Sequence, residues 1–422
     1  MQRLKSRGLL GLKWLGAYFE TDAVYIAKSS FWLTLGQVSS AIIALLSSVF
    51  FANYVDKDIY GQYKFVLSLT GILGALSLTG MGSVVVQAVA KGAEGILKDS
   101  VRVSLRWGVF ILFFGLCGSG YYFFNDNNVL GTSLLIASIA MPLMNAFGLY
   151  GGLFSGRKNF KLSTLYWLAT QSLTTIGLVV SAIYTQSVVS LIFIYFAVST
   201  LCALYGYYRV ITKYKPNEVR DGTMIPYGKH MSLMNLFGTL ANQLDKVLVF
   251  HYLGAVNLAI YSFSQAIPEQ IKGSFKNLFA IALPKYAVLS DHDLRKSILK
   301  KTGQLTGITL IIVLGYIVCA PLVFKILFPK YTEAVIYSQI YALGLLAIPG
   351  ISLFATYFQL KKATRTMYKL TVISNTVTIA LTLVLVYKFG LKGAVIENGL
   401  SWLTMLAVNY YFFATHKETI SS

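Results

Sequence analysis

QLTGITLIIVLGYIVCAPLVFKIL, residues 304–327, carries a single charged side chain, Lys325, close to its end. As a helix it rises about 36 Å at 1.5 Å per residue, enough to cross a hydrocarbon core of about 30 Å. Working outward from it, eleven more apolar stretches separated by short polar breaks read the same way: 29–53, 60–88, 105–124, 129–153, 163–184, 188–210, 231–252, 257–284, 334–358, 368–387 and 392–413. Of the 422 residues, 56% are hydrophobic and 12% charged, about half the charged share that soluble domains need. Composition and segment length together exclude a soluble architecture. Spans 60–88 and 257–284 are long and are expected to tilt or to project beyond the bilayer.

The net charge of +20 raises nucleic acid as a partner, which would require a continuous basic face. The basic residues instead sit in short tracts between apolar runs, so no nucleic-acid binding is expected. Their distribution sets orientation. Twenty-seven Lys and Arg fall in or beside the N-terminal segment, the C-terminal tail and the loops after even-numbered spans, against five on the other side (Lys57, Lys325, Lys330, Lys388 and Lys392). The positive-inside bias then places both termini of this multi-pass chain in the cytoplasm. Residues 1–28, with Leu4, Leu9, Leu10 and Trp14 among Arg3, Lys5, Arg7 and Lys13, suit an amphipathic helix on the anionic cytoplasmic face.

Chemistry on the chain is not indicated. Cys117, Cys202 and Cys319 lie inside apolar runs without metal-box spacing and read as small buried hydrophobes, and the four histidines are scattered. No cofactor, metal or catalytic residue is expected, and the short external loops leave no room for a catalytic domain.

The two halves resemble each other at an offset near 200. Tyr54, Tyr63 and Phe65 recur as Tyr252, Tyr261 and Phe263; Phe154, Arg157 and Lys158 as Phe358, Lys361 and Lys362; Tyr184 and Tyr207-Tyr208 as Tyr387 and Tyr410-Tyr411. Such duplication marks many transporters, and six spans per repeat imply a pseudo-twofold axis along the membrane normal. The expected fold is an all-α integral membrane protein of twelve transmembrane helices, in two pseudo-symmetric six-helix bundles around a central cavity. The bundles are placed at 29–212 and 230–415, joined by a cytoplasmic linker at 213–229 and followed by a cytoplasmic tail at 416–422.

Ionisable groups inside spans cost roughly 2.5–3.5 kcal/mol each at the bilayer centre and so tend to face a cavity or a partner. Asn235, Thr239, Asn242 and Lys246 share one face of span 231–252, with Asp245 beside it. Gln265, Glu269, Lys272 and Lys276 share one face of span 257–284, where Glu269 and Lys272 are spaced to pair. Lys64 and Glu397 add charges from spans 60–88 and 392–413. The ammonium groups Lys246, Lys272, Lys276 and Lys64, with Asn242 and Asn235, suit a pyrophosphate-bearing substrate; Lys64 and Lys276 equally suit snorkelling to the interfaces, and Glu269–Lys272 a neutral structural pair. Asp245, Glu269 and Glu397 are candidates for coupling to H⁺ or Na⁺, or for charge balance. Pro268, Pro142 and Pro349 are expected hinges.

FFANYVDKDIYGQYKF with GMGSVVVQAVAKG (within 50–92) and NLFGTLANQLDKVLVFHYLGAVNLAIYSFSQAIPEQI with ALPKYA (within 235–287) resemble the Wzx-type polysaccharide flippases of the multidrug/oligosaccharidyl-lipid/polysaccharide exporter superfamily. That resemblance implies movement of undecaprenyl-pyrophosphate-linked oligosaccharide, an O-antigen or related repeat unit, from the inner to the outer leaflet by ion-coupled alternating access. Membrane lipids, a polysaccharide polymerase and a chain-length regulator are the partners it implies. The family's cationic cavity maps onto Lys246 and Lys272. Peptidoglycan-precursor relatives fit less well, since they add two spans and more cavity arginines. The rivals are a drug or cation antiporter of the same superfamily and, from another class, an O-antigen polymerase.

Overall fold

The computed structural model describes residues 23–286, 291–361 and 363–415, and their side chains over 29–273, 292–361 and 363–415. The expected interfacial segment up to residue 22, the tail 416–422 and the side chain of Lys276 fall outside that description. The described chain is helical throughout. In order it forms α1 (Ala23–Tyr54), α2 (Lys57–Gly74), α3 (Met81–Ala90), α4 (Ile96–Phe124), α5 (Asn128–Gly148), α6 (Tyr150–Gly156), α7 (Phe160–Tyr184), α8 (Val188–Arg209), α9 (Met224–Tyr286), α10 (Asp291–Leu327), α11 (Ala334–Gly344), α12 (Ile348–Leu360) and α13 (Thr364–Thr415).

The sequence explains where several of these begin and break. Asn127 and Asn159 cap α5 and α7, accepting hydrogen bonds from the amides of Leu130 (3.1 Å) and Leu162 (3.3 Å), the usual role of an Asn at a helix start. Span 60–88 is broken: α2 ends in a 3₁₀ turn at Ala75–Ser77, Leu78 is left-handed, and α3 leaves at 49°. Gly80 opens α3 because a Cβ there would lie 2.6 Å from the Gly228 carbonyl oxygen.

α9 and α13, at 63 and 52 residues, are more than twice the length of one crossing. Each is interrupted by a glycine with positive φ, Gly254 (82°) and Gly390 (57°), a conformation that costs glycine little. These are reversals. Tyr261 bonds Asp245 at 2.6 Å across 16 residues that a straight helix would separate by about 24 Å. Likewise, a Cβ at Gly393 would touch the Leu385 carbonyl oxygen at 1.9 Å. Taking each as two crossings, and α2–α3, α5–α6 and α11–α12 as one each, accords with twelve spans in two six-helix bundles.

The outward faces are apolar yet exposed. The most apolar window of the α10 span is only 22% buried, with Ile311, Leu314, Val318, Leu322 and Ile326 outside. In water such a surface would aggregate; against lipid tails it is at rest. Cys117 and Cys319 are exposed on this surface, which corrects the expectation that they are buried: they sit on lipid-facing stripes, where a small apolar side chain needs no core.

The seam between the halves runs along α9. At the end bearing the short loops, Phe65 stacks on Phe250 (3.7 Å), Tyr60 on Phe263 (4.6 Å), and Phe263 meets Tyr331 (4.2 Å). Lys57 is ion-paired with Glu333, and Asn53 donates to the Leu327 carbonyl at 3.0 Å. The repeated aromatics thus play mirrored parts, Phe65 reaching into the second half and Phe263 into the first. Tyr54 and Tyr252 are exposed, as rings at a membrane interface are.

At the opposite end, the stretch expected as a linker (213–229) is only partly extended, since α9 begins at Met224. What remains is strapped to the first bundle. Arg157 donates from Nε (2.6 Å) and one terminal nitrogen (2.7 Å) to the Glu94 carboxylate, and from the other to the Tyr214 carbonyl (3.0 Å). Asn217 closes the ring, donating its amide to Glu94 (2.9 Å) and its side chain to the Gly92 carbonyl (2.9 Å). The hydrogen bond from Arg157 holds the Glu94 carboxyl below its ordinary range. A carboxyl lowered on folding stabilises the fold above its unfolded value and loses that effect as pH falls through the folded one. Glu94→Gln should therefore lower the melting temperature in detergent at pH 7 and flatten its decline on the acid side of pH 4.5. An unchanged acid limb in the variant would refute this account of the strap.

Candidate substrate and ion cavity

Both reversals bring polar residues, scattered in sequence, into one chamber. The first limb of α9 supplies Asn242, Asp245 and Lys246, and its returning limb Gln265, Glu269 and Lys272. Tyr341 comes from α11, Thr371, Ser374, Asn375 and Thr378 from the first limb of α13, and Glu397, Asn398, Ser401 and Trp402 from the second. These residues line a cavity of about 560 Å³, within the range of ligand pockets. Every lining residue belongs to the second half. The chamber differs in this from the expected passage between the bundles.

The charges are tied into two networks. In one, Asp245 accepts from the Tyr261 hydroxyl (2.6 Å) and from the Lys246 amide (2.8 Å), while Asn398 donates to the Tyr261 oxygen (2.8 Å). In the other, Lys272 pairs with Glu269 at 2.8 Å, lies 4.7 Å from the centre of the Trp402 ring, and shares the Glu269 carboxylate with the Tyr341 hydroxyl. Among the described residues Lys246 reaches only the Gln243 amide oxygen, at 3.4 Å. Glu397 is 2% exposed and accepts from Ser401 at 2.6 Å, with no cation in ion-pair contact among the described residues. A buried carboxylate without a counter-charge is costly, so this one calls for a proton or a cation. Among the described residues the buried Ser374 hydroxyl and Asn375 amide nitrogen also lack hydrogen-bond partners, leaving polar atoms for water or a bound species.

Among the described residues the chamber holds three carboxylates, Asp245, Glu269 and Glu397, against two ammonium groups, Lys246 and Lys272. The fixed charge of these residues is therefore not cationic, and Lys272 is already paired. The other expected site residues lie elsewhere. Lys64 packs over the Tyr60 ring at 5.2 Å on α2 and does not line the chamber. Asn235 donates to Thr79 at 3.3 Å near the linker end. Pro268 sits in the returning limb of α9 between cavity residues Gln265 and Glu269, and Pro142 lies inside α5. Pro349, by contrast, starts α12 just after a 3₁₀ turn. It marks a helix start, where proline is at home.

Sequence reasoning missed Tyr261 and Tyr341 as carboxylate partners, Asn398 and Ser401, and the polar row on α13. That row was detectable: Thr371, Ser374, Asn375, Thr378 and Thr382 recur at helical spacing on one face. Tyr261 was visible only as half of the repeat pair with Tyr63. At the position equivalent to Asp245 the first half has Ser47, so Tyr63 has no carboxylate to meet and makes no hydrogen bond among the described residues. Tyr261→Phe should accordingly destabilise the protein by about 1–3 kcal/mol through the stranded Asp245, while Tyr63→Phe stays near neutral. Equal melting temperatures for the two variants would contradict this assignment.

A family model described as polysaccharide biosynthesis protein matches residues 26–284. Comparison with curated protein sequences finds no match. Among solved structures, the lipid II flippase MurJ in an inward closed conformation is similar at a TM-score of 0.69 and 15% identity, over 90% of this chain and 87% of that one. An outward-facing multidrug resistance MATE family transporter of the MOP superfamily gives 0.65 at 14% identity, over 92% and 94%. A MOP superfamily transporter from Pyrococcus furiosus, described as having a binding pocket of reverse polarity, gives 0.62 at 14%, over 92% and 94%. At such identities these likenesses speak for the fold alone, and that fold is the one inferred above from the glycine reversals.

Proposed function

The chain belongs to the polysaccharide biosynthesis protein family, and from that premise we propose that it is a flippase for undecaprenyl-pyrophosphate-linked oligosaccharide, an O-antigen or related repeat unit. It carries its substrate from the cytoplasmic to the periplasmic leaflet of a bacterial inner membrane. The observation that carries the reading is the chamber: five ionisable side chains and two unpartnered polar atoms inside helices whose outer faces are apolar. In a bilayer such groups are retained where something polar passes or binds. The lipid II flippase among the structural relatives supports a lipid-linked glycan as the substrate class.

In this reading the linker end faces the cytoplasm, and the aromatic seam with Lys57–Glu333 is the closed periplasmic gate. The chamber's surplus negative charge favours a coupling role for Asp245 and Glu397. Binding H⁺ or Na⁺ there neutralises a buried carboxylate, and its release to the other side biases the equilibrium between two arrangements of the bundles. Lys246 and Lys272 contact the pyrophosphate once their present partners, Gln243 and Glu269, are displaced. Asn242, on the chamber wall, adds to the polar path, and Pro268 and Pro142 serve as its hinges.

The same charge surplus favours one rival, a drug or cation antiporter of the superfamily. Deleting the gene and assaying lipid-linked sugar by leaflet tests the choice: sugar accumulating toward the cytoplasm fits the flippase, whereas an unchanged distribution together with proton-dependent efflux of cationic dyes by the purified protein fits the antiporter. Lys272→Ala and Lys246→Ala are expected to abolish surface polysaccharide at normal protein levels. Full polysaccharide in both variants would remove these lysines from the path.

A further inference from the structure

A second cavity lies apart from the charged one. It lies in the first half, measures about 650 Å³, and is walled by α5, α6, α7 and α8, with no Lys, Arg, Asp or Glu in its lining. Its walls are three aromatic rings, Tyr150, Tyr166 and Trp167, and hydroxyls that include Ser155, Ser163 and Ser199.

This space opens inward. On α7, Leu165, Leu173, Ile176 and Val180 are exposed and mark the bilayer-facing stripe. Trp167, although 47% exposed, lies about 160° around the helix from that stripe at 100° per residue. On α8 the stripe is Phe193, Leu201, Leu204 and Tyr208, and Ser199 stands about as far from it. An exposed indole pointing away from lipid borders an internal vestibule. The wall is also firm. Tyr150 is wedged against Gly206, where a Cβ would lie 2.4 Å from its ring, and packs edge-on to Tyr166 at 5.7 Å. Opposite, a Cβ at Gly148 or Gly151 would meet nothing within 4 Å, so the glycines leave room for a ligand.

Uncharged rings beside short hydroxyls match one ligand chemistry well. Sugars present C–H faces that stack on aromatic rings and rims of hydroxyls that exchange hydrogen bonds with Ser and Thr, with no charge to neutralise. The Ser155–Ser163 pair (3.2 Å) and the Ser199–Thr174 pair (3.3 Å) each use one hydroxyl proton and leave acceptor capacity on every oxygen and one donor per pair, and the Trp167 indole N–H donates to no described residue. Resting on the flippase reading, we infer that this vestibule is the glycan subsite: it holds the neutral saccharide of the lipid-linked substrate, apart from the charged chamber in the other half.

The test uses the full-length protein in nanodiscs and, as probe, the oligosaccharide released by mild acid from the producing cell's own lipid-linked intermediates. Saturation-transfer NMR should show contact with the sugar protons in the wild-type protein. Trp167→Ala should weaken binding by at least about tenfold. Gly151→Leu, which fills open space in a helix and leaves no void, should abolish the signal without lowering the melting temperature. A signal that survives both Trp167→Ala and Gly151→Leu, or no signal from the wild-type protein, would overturn the assignment. So would quenching of Trp167 fluorescence by acyl-chain spin labels in place of a sugar signal, which would mark the vestibule as a lipid groove. Sugar contact without leaflet transfer of the lipid-linked form would instead leave the subsite standing and defeat the flippase reading.

Discussion

Asp245 and Tyr261 meet at 2.6 Å because the chain doubles back at Gly254, and much of the second half is organised around that bond. A carboxylate 7% exposed within a bilayer-embedded bundle is tolerable only with donors supplied. Tyr261, the Lys246 amide and, through the tyrosine oxygen, Asn398 supply them. The network ties both limbs of α9 to the second limb of α13.

The duplicated halves show what a single exchange can do. Tyr63 and Tyr261 occupy equivalent places, and both are buried. Only the second faces a carboxylate, since Ser47 stands where Asp245 would be. The first half carries an aromatic and hydroxyl-lined vestibule with no charged residue in its described lining, whereas the second gathers ionisable groups around its chamber. The two halves thus hold two different environments, one lined by rings and hydroxyls and one by ionisable groups.

Much of this was legible in the sequence. Apolar runs of bilayer length and the asymmetric basic loops gave the helical membrane class, and the offset aromatics gave the two halves. The Glu269–Lys272 pair followed from i,i+3 spacing. What was not legible depends on tertiary contact. A periodic pattern cannot tell that Lys64 will lie over Tyr60, that Asn235 will turn to Thr79, or that the charges will sit within one bundle. Nor does an exposed Cys117 differ, as a letter, from a buried one: in lipid the outside of a helix is as apolar as its inside, so burial cannot be read from hydrophobicity.

The strap around Glu94 sets a mechanical limit. Lys98–Glu218 and Arg220–Asp99 ion pairs extend it, so the connecting segment travels with the first bundle as far as Arg220. Asp221, Gly222 and Thr223 alone then intervene before α9 starts at Met224. The four Cα–Cα steps from Arg220 to Met224 reach at most about 14 Å when fully stretched. At that face the two halves are leashed, and they part there by pivoting about a short tether.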